Sequence, residues 1–291
     1  MNFSTSKKVF TFISTLSVFF SLSSISCTKR IKPNDNEIIF DTIQVNKTQS
    51  IDYKKSKLNC NLHIAFTYPI AYKKISQLSD LQKLFIKKVF PPQYANLSPQ
   101  DAVKNFSEQY IRDFQSIPSN GFFNEDDTPE DESDFIDEND SIYELNLENE
   151  VLYNHNNILS FVVRNINYEG GAQGSNSIYG YVIDLNTGNF LTEEDFAGNN
   201  YKKNLSSIIV QKIATAKGLS DVSQLESVGY NAIEDIAPNE NFTIDNKGIT
   251  YYFNESEIAA YFIGITKVFI PYEELKAYIT DDSPISSLTG L

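Results

Sequence analysis

Residues 158–185 read ILSFVVRNINYEGGAQGSNSIYGYVIDL, two runs rich in β-branched and aromatic residues separated by Gly170-Gly171-Ala172-Gln173-Gly174. Strand propensity on both sides with no helical period between them predicts two strands joined by a bend. The strand–helix–strand unit of a parallel α/β protein is not what this stretch encodes. The glycines are needed there whether the bend is purely structural or leaves backbone exposed to a ligand or a neighbouring loop. A phosphate cradle does not fit, because no Gly-Lys-Ser/Thr ending follows and the far side reads as strand, not helix.

Working outward, Tyr143, Leu145 and Leu147 alternate with polar residues, and so do Leu58, Cys60, Leu62, Ile64 and Phe66. Period two predicts half-buried strands, with Cys60 on an inward face and His63 on the opposite one. Between these strands Leu78, Leu81, Leu84, Phe85 and Val89 recur at helical spacing until Pro91-Pro92 ends the run. Ser98-Pro99-Gln100-Asp101 then starts a second helix, whose stripe is Val103, Phe106, Tyr110, Phe114 and Ile117. Downstream, Asn186-Thr187-Gly188 turns the chain and Thr192–Asp195 caps a short helical turn. Leu205, Ile208, Ile209, Ile213 and Ala216 form a helix closed by Gly218. Phe242–Asp245 and Ile249–Phe253 form a hairpin with Gly248 at its left-handed position. A strand over Thr266–Ile270 runs through Pro271 into a helix ending near Ile279. The expected fold class is α+β, with mixed, mainly antiparallel sheets and a few amphipathic helices in two consecutive small modules, 58–175 and 176–282, followed by a tail at 283–291.

The N-terminus has Lys7 and Lys8, an apolar and hydroxyl-rich run from Val9 to Ile25, and small residues before Cys27, which reads as a secretory signal over 1–26. The cysteine placed directly after it is similar to a bacterial lipobox, which implies lipidation of Cys27 and membrane attachment through the lipid alone. Residues 27–57 are polar without a sustained period and read as a tether.

The 291 residues carry 24 Lys+Arg against 38 Asp+Glu, a formal charge of −14, and loss of Lys7 and Lys8 with the leader takes this to −16. Such a chain repels nucleic acid and anionic surfaces. Two His and two Cys leave no set for a zinc or iron–sulfur centre, and neither cofactor nor metal is expected. No Lys or Arg occurs between Arg112 and Arg164, and acids crowd 124–140 within a loop expected over 121–140. Like-charge repulsion favours a solvated loop there; a landing surface for a basic partner and a weak calcium site are the functional alternatives. Asp184-x-Asn186-x-Gly188 with Asp195 is a poor match to a calcium loop and a good match to a hairpin turn.

No catalytic residue can be assigned. Asn254-Glu255-Ser256-Glu257 could supply paired carboxylates, yet it also fits a capping box with Asn254 as cap and Glu257 reaching back to its amide. Tyr251, Tyr252, Phe253, Tyr261 and Phe262 could stack on sugar rings, but strands must bury one face and most of these are expected in the core. His63 and His155 have no Ser or Cys motif beside them from which to argue a triad.

Several runs in series resemble one known family. Glu169–Gly174 before Tyr179, Asp184–Gly188 with Phe190–Phe196, Phe242–Ile244 through Gly248–Asn254, Glu257–Ala259 and Ile270–Leu275 resemble the extracytoplasmic domain of RsiV-type anti-sigma factors. The same pair of modules, long labelled domains of unknown function, also accompanies the deacetylase domain of PdaC-type proteins. The resemblance covers roughly 58–280 and implies an extracytoplasmic α+β module; for the RsiV members it also implies direct binding of lysozyme. Gln173 stands where the family often has His, the acidic insert is outside the pattern, and neither a cytoplasmic anti-sigma segment nor a deacetylase domain is legible. The expected function is a lipid-anchored envelope protein that binds a macromolecule, either a basic protein such as lysozyme or a cell-wall glycan. A hydrolase using carboxylates near Glu169 and Glu257, and an accessory subunit of an envelope complex, are the alternatives. The nominated ligand-binding residues are Glu169, Gly170, Gly171, Gln173, Gly174, Ser175, Tyr179 and Glu257.

Overall fold

In the computed structural model the described residues are 36–53, 56–117, 142–170, 173–198 and 201–289. Cys27, Gly171 and the acidic loop 121–140 lie outside them. The described chain is α+β. A six-stranded sheet runs in the order β1 (Ile38–Tyr53), β2 (Ser56–Tyr72), β3 (Ile142–His155), β4 (Ile158–Glu169), β5 (Ser175–Asp184), β6 (Asn189–Phe190). Only β2 and β3 pair in parallel, which two strands can do only across a long connection. That connection contains α1 (Leu78–Val89) and α2 (Pro99–Ser116), both where the sequence puts them. The Ser98 side chain accepts a hydrogen bond from the Asp101 amide at 3.1 Å, and Pro99 takes the first helical position.

Alternation sorts the sheet's two faces. Leu62, Ile64 and Phe66 of β2, Leu145 and Leu147 of β3, Phe161 and Val163 of β4 and Ile183 of β5 meet Leu81, Phe85 and Ile86 of α1 and Val103 of α2 in one core. Ile158 and Val182 face a second core, shared with a three-stranded sheet β7 (Phe242–Ile244), β8 (Gly248–Phe253), β9 (Thr266–Pro271) and with α3 (Tyr201–Ala216). At the crossing of the sheets Gly180 lets backbones touch, since a Cβ there would lie 2.4 Å from the Phe242 carbonyl oxygen. The buried Ser160 hydroxyl accepts the Ile244 amide at 3.0 Å, tying β4 to β7.

The structure differs from expectation at four places. From Ile38 onward the expected tether is a 16-residue strand, β1, zipped antiparallel along β2. Gly248 lacks a left-handed φ; it is needed because a Cβ would come 2.2 Å from the Ile270 carbonyl oxygen. Pro271 closes β9 in extended backbone, and the helix after it, α4, spans only Tyr272–Leu275. No helix follows Asn254, so the expected capping box survives in one half, the Asn254 amide donating to Glu257 Oε2 at 2.7 Å. Among the described residues no helix is long and apolar enough to cross a membrane.

Candidate functional site

Beyond residue 182, β5 pairs with β6, but from Ser175 to Gly180 one edge has no strand partner among the described residues. An open edge offers free amides to any other chain. Here three of them are closed by side chains from elsewhere. The Asn176 amide donates to Glu255 Oε2 (3.0 Å), the Ile178 amide to Asn254 Oδ1 (2.8 Å) and the Gly180 amide to Asn241 Oδ1 (2.7 Å). Asn241 Nδ2 returns a bond to the Ile178 carbonyl at 2.9 Å. The loop after β8 is thereby fastened along the edge of β5.

The glycine-rich bend stands at the end of this edge. β4 finishes at Glu169, Gly170 turns at φ +77°, and Gly174 lies so close to Tyr168 and the Asn167 carbonyl that a Cβ would meet them at 3.0 and 3.1 Å. Gln173 and Ser175 are exposed. Across from them the Tyr261 hydroxyl donates to the Gly174 carbonyl at 3.1 Å, fixing the β8–β9 loop to the bend. The next residue, Phe262, is 78% exposed, the highest of the large apolar side chains among the described residues. Its ring rests over Gly229, whose φ of +97° and missing Cβ leave room for it. Glu257 lies in the same loop, its Oε1 accepting from Asn239 Nδ2 at 2.6 Å.

Of the nominated residues, Gly170, Gln173, Gly174, Ser175 and Glu257 therefore belong to one connected edge. Glu169 and Tyr179 do not. Both lie on the helix-side face of the β4–β5 hairpin, in the alternation that also carries Val163 and Tyr181. Glu169 accepts from Asn167 Nδ2 at 2.9 Å and, with Tyr110, Asp113, Phe114, Ile117 and Tyr143, lines a cavity of about 380 Å³ at the C-terminal end of α2. Burial pushes the Tyr110 hydroxyl toward its neutral form, and the neighbouring Cys60 and Glu169 add to it. Glu169 and Glu257 are thus held at separate places and form no carboxylate pair. The carboxyls whose proton affinity is displaced upward, Glu193 and Glu240, line none of the three described cavities. His63 is bonded to Asn46 (2.6 Å) and Glu148 (3.3 Å) on the outer face of β2. Among the described residues no three His, Cys, Asp or Glu converge as a metal set.

Tyr261 and Phe262 stand in the sequence among rings expected mostly in the core, and Asn239 and Asn241 carry no signal there. Tyr251, Tyr252 and Phe253 are buried as expected, whereas Tyr261 and Phe262 project. Their distinguishing signal is Gly264, which bends the chain at φ +70° just beyond them and takes them out of the strand pattern.

Comparison with known proteins agrees with this architecture. Residues 58–176 match the family described as Deacetylase PdaC, and residues 191–273 match DUF3298, a protein family of unknown function. The two matches in series show a region of PdaC/DUF3298 type, as the resemblance implied. A solved DUF3298 family member from Bacteroides fragilis is 29% identical with a TM-score of 0.75, covering 88% of this chain and 98% of its own. A DUF3298 family protein from Pseudomonas aeruginosa shares the fold at 11% identity and a TM-score of 0.55, covering 86% of this chain and 97% of its own. No curated protein matches.

Proposed function

We propose that this chain is a lipid-anchored envelope protein that recognises a macromolecular ligand through the edge formed by Gln173–Ser175 and the Tyr261–Phe262 loop. The observation that carries the reading is Phe262: a large apolar ring held out into water beside a tyrosine bonded to backbone 87 residues away. Leaving such a ring exposed gives the fold little stability, and aromatic side chains that enter a partner's pocket dominate binding energy. Glu255 and Glu257 belong to the same β8–β9 loop, within a chain of net charge −14, so a cationic protein is the favoured ligand and a cell-wall glycan the second. The leader-like N-terminus and the PdaC-type match support an extracytoplasmic location.

Titration with lysozyme, with an equally basic unrelated protein and with soluble peptidoglycan fragments tests the reading. Lysozyme should bind at physiological salt, and Phe262→Ala should weaken it at least tenfold without lowering the melting temperature. Equal binding to both basic proteins, lost together as salt rises, would reduce the effect to generic attraction between opposite charges. Saturable binding of the fragments alone would make the ligand a glycan. For the anchor, Cys27→Ser should release the protein from membranes or stall its processing; a variant that matures and fractionates like wild type would exclude lipidation.

A further inference from the structure

Glu193 opens the short turn after β6 and is 1% exposed. Its backbone amide donates to Glu240 Oε2 at 3.0 Å, and the Glu240 amide donates back to Glu193 Oε1 at 3.0 Å. Two segments 47 residues apart are thus joined by two glutamates, each accepting the other's amide. Glu193 Oε2 and the hydroxyls of Tyr201 and Tyr251 are all buried, and among the described residues none of the three meets a partner at close hydrogen-bond geometry. Both hydroxyls lie close enough to Glu193 to favour its anion, an effect that burial outweighs. Glu240 holds a left-handed backbone at φ +60°, a conformation that strains a residue with a Cβ.

The position of Glu240 gives the pair its consequence. Asn239 on one side bonds Glu257 and the Tyr252 carbonyl, while Asn241 on the other bonds Ile178 and Gly180 of β5 and its carbonyl accepts the Tyr252 amide at 2.9 Å. Whatever holds Glu240 therefore holds the strap that joins β5 to β8.

We propose that Glu193 and Glu240 form a proton-operated latch: with Glu193 neutral the strap Asn239–Asn241 is clamped to β5, and ionisation of Glu193 releases it. The groups facing the pair are Tyr201 of α3, Tyr251 of β8, Glu194 and Asp195 of the turn, and Lys202, the cation that acts on Glu240. An anion at Glu193 would sit in the core beside a second carboxylate, and admitting water is the direct way to solvate it. Burial first, and Glu240 further down, hold the Glu193 proton up to about 7, above the model-compound value of 4.5. The latch stands independently of the binding reading, because its readout lies in the strap itself.

The test is a pH titration of the full chain, following the Glu193 carboxyl carbon by NMR and the exchange protection of the Gly180 and Tyr252 amides, both bonded to Asn241. If the strap is free when Glu193 has an ordinary affinity, protection corrected for intrinsic exchange should fall about 30-fold between pH 5.5 and pH 8.5. At each pH Gly180 and Tyr252 should be less protected than amides within α1, which open only with the whole fold, and Glu193→Gln should be flat across the range. A Glu193 midpoint in the ordinary carboxylate range, protection unchanged through its midpoint, or an equal fall in Glu193→Gln would each overturn the latch. Should that variant not fold, protection at Gly180 and Tyr252 equal to that of α1 throughout would overturn it in the wild-type chain, because the strap would then open only with the whole fold.

Discussion

The Cys60 thiol is fully buried with Leu58 and Phe114, whereas His63, three residues along β2, faces outward to Glu148. Alternation alone assigns those positions, and both were legible in the sequence. Burial pushes the Cys60 thiol up to about 11, so it is a neutral and shielded sulfur at physiological pH. Native protein at pH 8 should therefore leave Cys60 unmodified by iodoacetamide over hours and should react fully in denaturant; rapid native labelling, read by mass spectrometry, would contradict the packing. Aromatic residues were harder to read. Tyr251, Tyr252 and Phe253 share their chemistry with Tyr261 and Phe262, and the three that are buried owe it to partners from elsewhere in the chain: Tyr251 and Phe253 lie in the core shared with α3, β7 and β9, and Tyr252 packs against Val162 of β4 and Ile178 of β5. The exposed pair shows that identity alone cannot separate a core ring from an exposed one.

Elements with a strong local signal formed as the sequence required: α1 stops before the proline pair, and α2 is opened by Ser98. Ser98→Ala should cost about 1 kcal/mol, measured by denaturant unfolding, because one amide of the first turn loses its acceptor. β1 carried no such signal. It is an edge strand whose inward positions from Ile43 run Ile43, Val45, Lys47, Gln49, Ile51, and Lys47 reaches across to bond Ser107 Oγ at 3.2 Å. A strand with two of these five inward positions polar and a bulge near Ile39 shows no sustained period, so pairing along β2 defines it. The candidate edge was half legible for a related reason. Its glycine bend is a local feature, but the bonds that join the bend to Tyr261 and β5 to Asn241 span 87 and 61 residues. Close approaches between elements make a further prediction. Gly180→Ala and Gly248→Ala place a Cβ against carbonyl oxygens of β7 and β9, backbone that cannot rotate away as a side chain would. Each should destabilise by about 2–4 kcal/mol, while Gly188→Ala, with open space around it, should cost only the strain of its φ of +75°. Equal losses at all three positions would mean that the sheets do not meet at Gly180.

At the scale of the whole molecule, two electrostatic effects act on stability, and salt separates them. The net charge of −14 makes the compact state repel itself, an effect carried by exposed groups and screened beyond about 8 Å at physiological ionic strength. The Glu193 carboxyl is in the core, where salt does not reach. Its proton is held to about 7 in the folded chain, chiefly by burial, against 4.5 when unfolded. Below pH 4.5 both states hold the proton and the contribution to stability is complete. Between 4.5 and 7 the folded chain keeps a proton that the unfolded chain releases, so stability falls as pH rises; above 7 both are ionised and the loss is finished. The loss is on the order of 3 kcal/mol, or roughly 5–10 °C in Tm for a domain of this size. Melting curves from pH 4.5 to 8 should show this decline at low and at high salt alike, while any part due to surface repulsion shrinks as salt is added. Glu193→Gln keeps a neutral side chain at every pH and should remove the salt-independent part. A decline that disappears in 0.5 M salt, or that persists unchanged in Glu193→Gln, would assign the pH dependence to the acidic surface instead of the buried Glu193 carboxyl.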